Sequence, residues 1–249
     1  MGQVNVIDKE SNVACYECKT QEAQKVYPIC TIRSTPSMPV HTIVWAKECY
    51  KLLFGEKVEE SMLYEDPNGE EPSTFMQAVL DYRAAYQQLS NNQQNNDNEG
   101  DTNNIKPAQL VALAQTVMEK LYIAEIQKQL DMERYKTALK TPQVLEATLI
   151  QEGCQKLSHV APTLQDSYKA TNVWTPLECV AEFAHVLSTA RNALPTFDKD
   201  DSLSMRFVTA ASNLRSHVFA IEPLQSFYTA KGIAGNIIPA STFICRTIF

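Results

Sequence analysis

Two short segments near the start of the chain carry the cysteines best suited to chemistry. Cys15 and Cys18 form a Cys-x-x-Cys pair, a spacing that lets two thiolates reach one tetrahedral zinc ion. Two other interpretations stay open for this pair, a redox dithiol and two unreactive thiols in a loop. Since a structural zinc site needs four ligands, the pair would supply half of one.

Cys30 lies between Pro28 and Pro36, which restrict the backbone on either side. Arg33 is close enough in sequence to favour a thiolate, and the start of a helix predicted at Pro39 would add to that effect. This arrangement predicts a nucleophilic thiol held on a loop. The alternative is a small residue packed in a turn, because free cysteines are usually buried.

His41 follows Cys30 closely enough to suggest a Cys–His pair. The histidine falls in the first turn of an apolar helix, however, and helix packing explains it more simply. The other histidines are scattered, and Cys154, Cys179 and Cys245 are isolated from one another. The sequence therefore indicates no further metal cluster.

Composition excludes several classes of function. The chain has 249 residues and only 7 glycines, and none of these has the spacing of a dinucleotide-binding or phosphate-binding loop. A net charge of -7 argues against general nucleic-acid binding, which needs clustered basic residues. No apolar run approaches the ~20 residues of a membrane span. Seven cysteines without a secretion signal predict reduced thiols in the cytosol or nucleus.

Hydrophobic spacing predicts a mainly helical protein with a little strand at both ends. The strands are expected at residues 3–8 and, as a strand or turn, at 234–239, whereas residues 11–39 have no helical period. An Asn/Gln-rich stretch at 90–104 has no apolar residue and predicts a disordered loop. Helices are predicted at 39–54, 73–89 and 107–140, and after Pro142, Thr175 and Asp200.

Seven segments together carry a resemblance to a known family. They are residues 2–4 (GQV), 15–18 (CYEC), 28–36 (PICTIRSTP), 39–47 (PVHTIVWAK), 198–201 (DKDD), 207–215 (FVTAASNLR) and 234–240 (AGNIIPA). In this order they resemble the catalytic subunits of SUMO-activating enzymes. The close matches cover about the first 55 and the last 50 residues, and the helical middle matches weakly.

The resemblance implies a fold and a division into domains. The family has a mostly helical catalytic-cysteine domain inserted in an α/β adenylating (ThiF-like) fold, of which this chain would hold only remnants. Residues 1–38 would then be the end of the adenylating core with the cysteine pair and the catalytic-cysteine loop. Residues 39–195 would be the helical catalytic-cysteine domain, and residues 196–249 a shortened return to the adenylating domain.

The resemblance also implies an activity. Such an enzyme uses ATP and magnesium to adenylate the carboxyl-terminal glycine of SUMO, and a cysteine then attacks the adenylate to form a thioester. By motif, Cys30 is that nucleophile, Thr31 and Arg33 are its neighbours, and Cys15 and Cys18 are half of a zinc site. The implied partners are SUMO, the regulatory subunit of the heterodimer and the SUMO-conjugating enzyme, in the nucleus or cytoplasm.

Departures from the family pattern lead to further expectations. The ATP-binding segment would precede Met1, the second pair of zinc cysteines would follow the last residue, and the chain is shortened after Ala240. Ile29 stands where the family usually has glycine. We therefore expect the chain to be inactive alone. Two alternatives stay open, a non-catalytic helical interaction module and an activating subunit for another ubiquitin-like protein.

Overall fold

The computed structural model describes residues 27–65, 72–94, 107–138, 140–160, 171–189 and 196–236. These ranges contain helices and no strand. The helical elements in chain order are α1 (Ile29–Ser34), α2 (Pro39–Phe54), a 3₁₀ turn (Val58–Glu60), α3 (Thr74–Gln94), α4 (Pro107–Glu119), a π-helical segment (Lys120–Ala124), α5 (Glu125–Leu130), α6 (Glu133–Lys136), α7 (Ala147–Val160), α8 (Pro176–Ser188), α9 (Ser202–Val218) and α10 (Phe227–Asn236). The mainly helical prediction is confirmed. The strand predicted at 3–8 lies outside the described residues, as do Cys15, Cys18 and Cys245.

Three of the predicted helix starts are confirmed together with a local cause. Pro39 begins α2, because its fixed φ suits the first helical turn. Thr175 caps α8 in a reciprocal capping box with Glu178, in which each side chain accepts a backbone N–H of the other residue. Asp201 caps α9 by accepting the backbone N–H of Ser204 at 2.7 Å. These capped ends fix where the long helices begin.

Helix α9 is the centre of the packing. It packs against α2 on one side and α8 on the other, and α8 in turn contacts α7 and α4. Helix α10 covers part of α2 and α9, and the short α1 packs on α2. Helix α1, which contains Cys30, is therefore attached to the most heavily packed part of the described structure.

Aromatic rings fill the space between these helices. Phe207 from α9 lies 5.0 Å from the ring of Phe183 and 5.5 Å from that of Tyr50. Trp45 continues the cluster to Tyr122, with 6.1 Å between ring centroids. Four of these side chains are completely buried, and Trp45 is nearly so. Buried aromatic side chains of this kind contribute strongly to the stability of a helical core.

Two of the predicted loop or strand segments are helical instead. Ala234 is buried in α10, so residues 234–236 are not a strand, and residues 237–239 lie outside the described ones. Two glycines within α10 lower the helix propensity of this segment, so its sequence does not predict a helix. Packing against α2 and α9 stabilises the helix in spite of them. Residues 90–94 extend α3, and the rest of the predicted disordered loop lies outside the described residues.

Residues 107–130 form one continuous helical run with a π-helical segment at Lys120–Ala124. The helix predicted at 107–140 is therefore confirmed as far as Leu130, where a turn separates it from the short α6. A π segment adds one residue to a turn. Beyond it, α5 brings its side chains to α1. Within the described ranges, every helix is too short or too polar to cross a bilayer.

Candidate functional site

Cys30 lies in the first turn of α1, and its side chain is exposed. The expectation that residues 11–39 are without helix, with Cys30 on a loop, is therefore wrong for residues 29–34. The backbone N–H groups of Thr31 and Ile32 both donate to the carbonyl of Pro28, which starts the helix. Ile32 is completely buried, so the opposite face of α1 is anchored in the core while Cys30 faces solvent.

The other end of α1 is held by side chains from distant elements. The last carbonyls of a helix have no partner within it. Here Arg215 of α9 donates to the carbonyl of Ile32 at 3.3 Å and to that of Arg33, and Gln129 of α5 also donates to Arg33 at 3.4 Å. The hydroxyl of Tyr135 in α6 donates to the carbonyl of Ser34.

These bonds explain why a helix of six residues exists where the sequence shows no helical period. A helix this short is unstable by itself, because nucleation costs more than one turn of hydrogen bonds returns. Tertiary hydrogen bonds from residues far away in sequence make up the difference. The positive charge of Arg215 also lies at the negative end of the helix, where a cation is stabilising.

The Arg33 guanidinium forms an ion pair with Glu65. Glu65 also accepts the backbone N–H of Ser73 at 2.9 Å. Burial raises the pKa of Glu65, but the hydrogen bonds from Ser73 and Arg33 outweigh it and bring the pKa below its usual range. The sequence predicts that the positive charge of Arg33 favours the Cys30 thiolate, whereas in the structure this charge is paired with the carboxylate of Glu65.

A pocket of about 330 Å³ opens beside Cys30. Its walls come from α1 and α5, with Ser73 between them. The lining residues are Ile29, Cys30, Arg33, Ser34, Ser73, Glu125, Lys128, Gln129 and Met132. The pocket leaves room next to the thiol for an acyl group. Positively and negatively charged side chains line its walls.

The other described cysteines are unsuited to nucleophilic chemistry. Cys49, Cys154 and Cys179 are buried. Burial raises the pKa of Cys49 to about 12 and that of Cys154 to about 11, and it raises the pKa of Cys179 further. Since the thiolate is the attacking form, Cys30 is the exposed exception among the described cysteines.

His41 has a packing role, as the sequence suggested. It is buried, its Nδ1 accepts the backbone N–H of Ser37 at 3.1 Å, and its ring meets that of Tyr27 edge-on at 5.1 Å. Burial lowers the pKa of His41, which favours the neutral ring. Among the residues that the structure describes, no three His, Cys, Asp or Glu side chains are grouped to hold a metal ion.

Sequence reasoning missed the residues that support α1, namely Arg215, Gln129, Tyr135 and Glu65. One signal was available. Arg215 is the single charged residue of the segment 207–215, and a charged residue is almost never fully buried unless it is paired. No local pattern links the other three residues to residues 29–34.

Comparison with known proteins places the chain in a family. The profile described as "Ubiquitin-activating enzyme, SCCH domain" matches residues 36–143 and 131–230, which leaves Cys30 just outside the match. The chain is 31% identical to SUMO-activating enzyme subunit 2 of Dictyostelium discoideum and 30% identical to SUMO-activating enzyme subunit uba-2 of Caenorhabditis elegans, each over 96% of its length. It is 32% identical to ubiquitin-activating enzyme E1-like of Saccharomyces cerevisiae over 91% of its length.

The chain covers 35%, 40% and 33% of these three relatives, respectively. The similarity therefore concerns a part of each relative, and that part fits the helical catalytic-cysteine domain expected from the sequence. The family profile covers most of the chain and the relatives agree with it. The chain belongs to the ubiquitin-activating enzyme family, through its SCCH domain and its similarity to the catalytic subunits of SUMO-activating enzymes.

Proposed function

We propose that this chain is the acyl-accepting part of a SUMO-activating enzyme and that Cys30 forms the thioester with the carboxyl-terminal glycine of SUMO. One observation carries the proposal. Cys30 is exposed beside a pocket of about 330 Å³, whereas Cys49, Cys154 and Cys179 are buried. A cysteine that accepts a protein-sized acyl donor has to be accessible at the surface.

The proposed step is an acyl transfer. The Cys30 sulfur attacks the carbonyl carbon of the acyl adenylate, a C–S bond forms, and the C–O bond to the phosphate breaks. AMP leaves with the bonding electron pair, and the thiol proton goes to solvent. Because the acyl adenylate is already reactive, the thiol needs correct placement more than a strong base.

The neighbours of Cys30 would have supporting roles. Thr31 is half-buried beside the nucleophile. Arg33, paired with Glu65, would tie α1 to the segment that leads into α3. The polar residues of α5 that line the pocket, such as Lys128, would face the acyl chain. These roles concern orientation, and none of them needs a proton transfer.

The complete activity belongs to a longer assembly in this proposal. ATP and magnesium would activate SUMO in an adenylating domain, and a regulatory subunit would complete a heterodimer, since the Dictyostelium relative is named as a subunit of its enzyme. The SUMO-conjugating enzyme would receive the acyl group in the nucleus or cytoplasm. Zinc at Cys15 and Cys18 would brace the segment before the nucleophile.

The test uses a graft, because the chain covers about a third of its relatives. The matching segment of the Dictyostelium subunit 2 is replaced by this chain, and the hybrid is purified with its partner subunit. We expect ATP and SUMO to give a reductant-sensitive band on a non-reducing gel. Cys30→Ala should abolish the band, Cys30→Ser should give a reductant-resistant ester, and the buried Cys154→Ala should keep the thioester.

Each other outcome contradicts a part of the proposal. A band that survives in Cys30→Ala shows that the nucleophile is a different residue. If the hybrid adenylates SUMO but forms no thioester, the non-catalytic helical interaction module is the better interpretation.

A further inference from the structure

We infer that Arg215 is a positioning residue for Cys30, which holds the nucleophile's helix in place from the opposite end. The inference rests on the proposed role of Cys30. The observations that support it concern Arg215, which lies on a different helix from Cys30. Arg215 acts through the backbone of α1, at the carbonyls of Ile32 and Arg33.

Arg215 is an unusual buried residue. Its side chain is 1% exposed, and among the described residues no carboxylate forms a salt bridge with it. Its guanidinium lies 4.3 Å from the ring of Trp45 and 5.0 Å from that of Phe219, and its buried Nε has no hydrogen-bond partner in the described part of the chain. Burial lowers the pKa of Arg215 to about 10, so the group stays charged at neutral pH at a cost in desolvation.

Stability alone does not explain such a residue. A buried charge without a salt-bridge partner is usually less stable than an apolar side chain of the same volume, and here the electrostatic interactions with Tyr122 and Glu125 oppose the effect of burial on the pKa of the guanidinium only in part. The aromatic faces of Trp45 and Phe219 recover a part of that cost. What the guanidinium specifically supplies is a donor to the carbonyls of α1, and those carbonyls belong to the helix that carries Cys30.

The connection from Arg215 to Cys30 runs through one turn of backbone. The carbonyl of Cys30 accepts the backbone N–H of Thr35 at 3.2 Å, so the last turn of α1 closes directly onto the nucleophile's own peptide unit. Arg215 fixes that last turn, together with Gln129 and Tyr135. A shift of this turn would move the Cys30 sulfur relative to the pocket.

Attack on an acyl adenylate requires the sulfur within ~3–3.5 Å of the acyl carbon, and a misplacement of about 1 Å costs about a hundredfold in rate. A residue that fixes α1 should therefore change the rate of acyl transfer, while adenylation, which does not involve Cys30, should stay the same. This split separates a positioning role from a general loss of folded protein, which would lower both rates together.

The variants are Arg215→Met, Arg215→Lys and the matched control Asn213→Ala. Asn213 is a buried polar residue of the same helix, but it bonds both backbone groups of Gln225, at 2.7 and 2.9 Å, and none of α1. In the hybrid enzyme we measure single-turnover thioester formation and ATP–pyrophosphate exchange. In the full chain alone we measure amide hydrogen exchange in α1 and α8.

We expect Arg215→Met to lower the thioester rate by about a hundredfold, with pyrophosphate exchange unchanged and faster amide exchange in α1 but not in α8. Arg215→Lys, which keeps the charge but loses the planar fork of donors, should recover only a part of the loss. Asn213→Ala should keep the thioester rate even where its melting temperature falls. Thioester formation in Cys30→Ala would overturn the proposed function. The amide exchange of α1 would then be the measurement that tests whether Arg215 holds this helix in place. Unchanged α1 exchange together with a wild-type thioester rate in Arg215→Met would overturn the inference.

Discussion

Glu182 of α8 and Arg206 of α9 form a bidentate ion pair in which the carboxylate is completely buried. The guanidinium Nε and Nη2 donate to the two carboxylate oxygens at 2.7 Å each, and the Glu182 side chain is 0% exposed against 14% for Arg206. This geometry satisfies both oxygens, which is the condition under which a buried pair is tolerated. The pair links two of the most closely packed helices of the core.

We predict that breaking this pair from one side is costly and that removing both partners is not. Arg206→Met leaves the Glu182 carboxylate buried and unpaired, and should lower the free energy of unfolding by about 3–5 kcal/mol. The double variant Glu182→Leu with Arg206→Leu should lie much closer to wild type. Urea unfolding followed by circular dichroism measures both. A loss below ~1 kcal/mol in Arg206→Met would show that water reaches the carboxylate.

Two glycines in helices should respond to alanine in opposite directions. A Cβ at Gly153 in α7 would overlap Val180 of α8, with 2.6 Å to the Val180 Cβ, whereas a Cβ at Gly232 in α10 would meet nothing within 4 Å. Gly153→Ala should cost about 1–3 kcal/mol by overpacking. Gly232→Ala should gain up to about 1 kcal/mol from helix propensity. Thermal unfolding of the two variants provides the comparison, and equal shifts of the same sign would refute the close α7–α8 contact.

The helix boundaries that could be predicted are those set by neighbouring residues. Pro39, Thr175 with Glu178, and Asp201 all act within one turn of the helices they begin, so a local pattern was enough. Cys30 as the candidate nucleophile also came from its own segment. These are cases in which sequence distance and spatial distance coincide.

Helix α1 could not be predicted, because its stability comes from residues remote in sequence. Arg215 bonds the carbonyl of Ile32 across 183 residues, and Gln129 bonds that of Arg33 across 96. Helix α10 was missed for a related reason, since its glycines lower the local propensity and only its packing makes it a helix. In both segments tertiary contacts override the local pattern.

Lys47 predicts a measurable pH dependence of stability. Its ammonium group is buried and donates to the carbonyl of Ala234 at 3.0 Å. Burial lowers the pKa of Lys47 from 10.5 to about 8, with a further lowering by Lys51 that Glu48 opposes. Between pH 8 and 10.5 the unfolded chain therefore binds more protons at this residue than the folded chain, and stability rises with pH at this group.

We predict that wild type gains stability relative to Lys47→Met by about 1.4 kcal/mol per pH unit between pH 8 and 10. The buried thiols and tyrosines also change the free energy of unfolding at high pH. Because they are the same in both proteins, their contribution cancels in the difference between the two. Urea unfolding at pH 7.5, 9 and 10 measures the difference. Lys57→Met removes an exposed lysine and is the control, for which we expect no such rise. A flat difference for Lys47→Met would mean that the buried ammonium is hydrated.

Cys15 and Cys18 are proposed to supply half of a zinc site. Two thiolates satisfy two of the four positions of a structural zinc ion, and the described cysteines other than Cys30 are buried within helices. We expect the monomeric chain to lose zinc to a competing chelator and to retain well under one equivalent, with no change in Cys15→Ser or Cys18→Ser. Metal analysis of the monomer peak from size-exclusion chromatography makes the measurement. One retained zinc per monomer, lost in either serine variant, would require two further ligands from this chain itself.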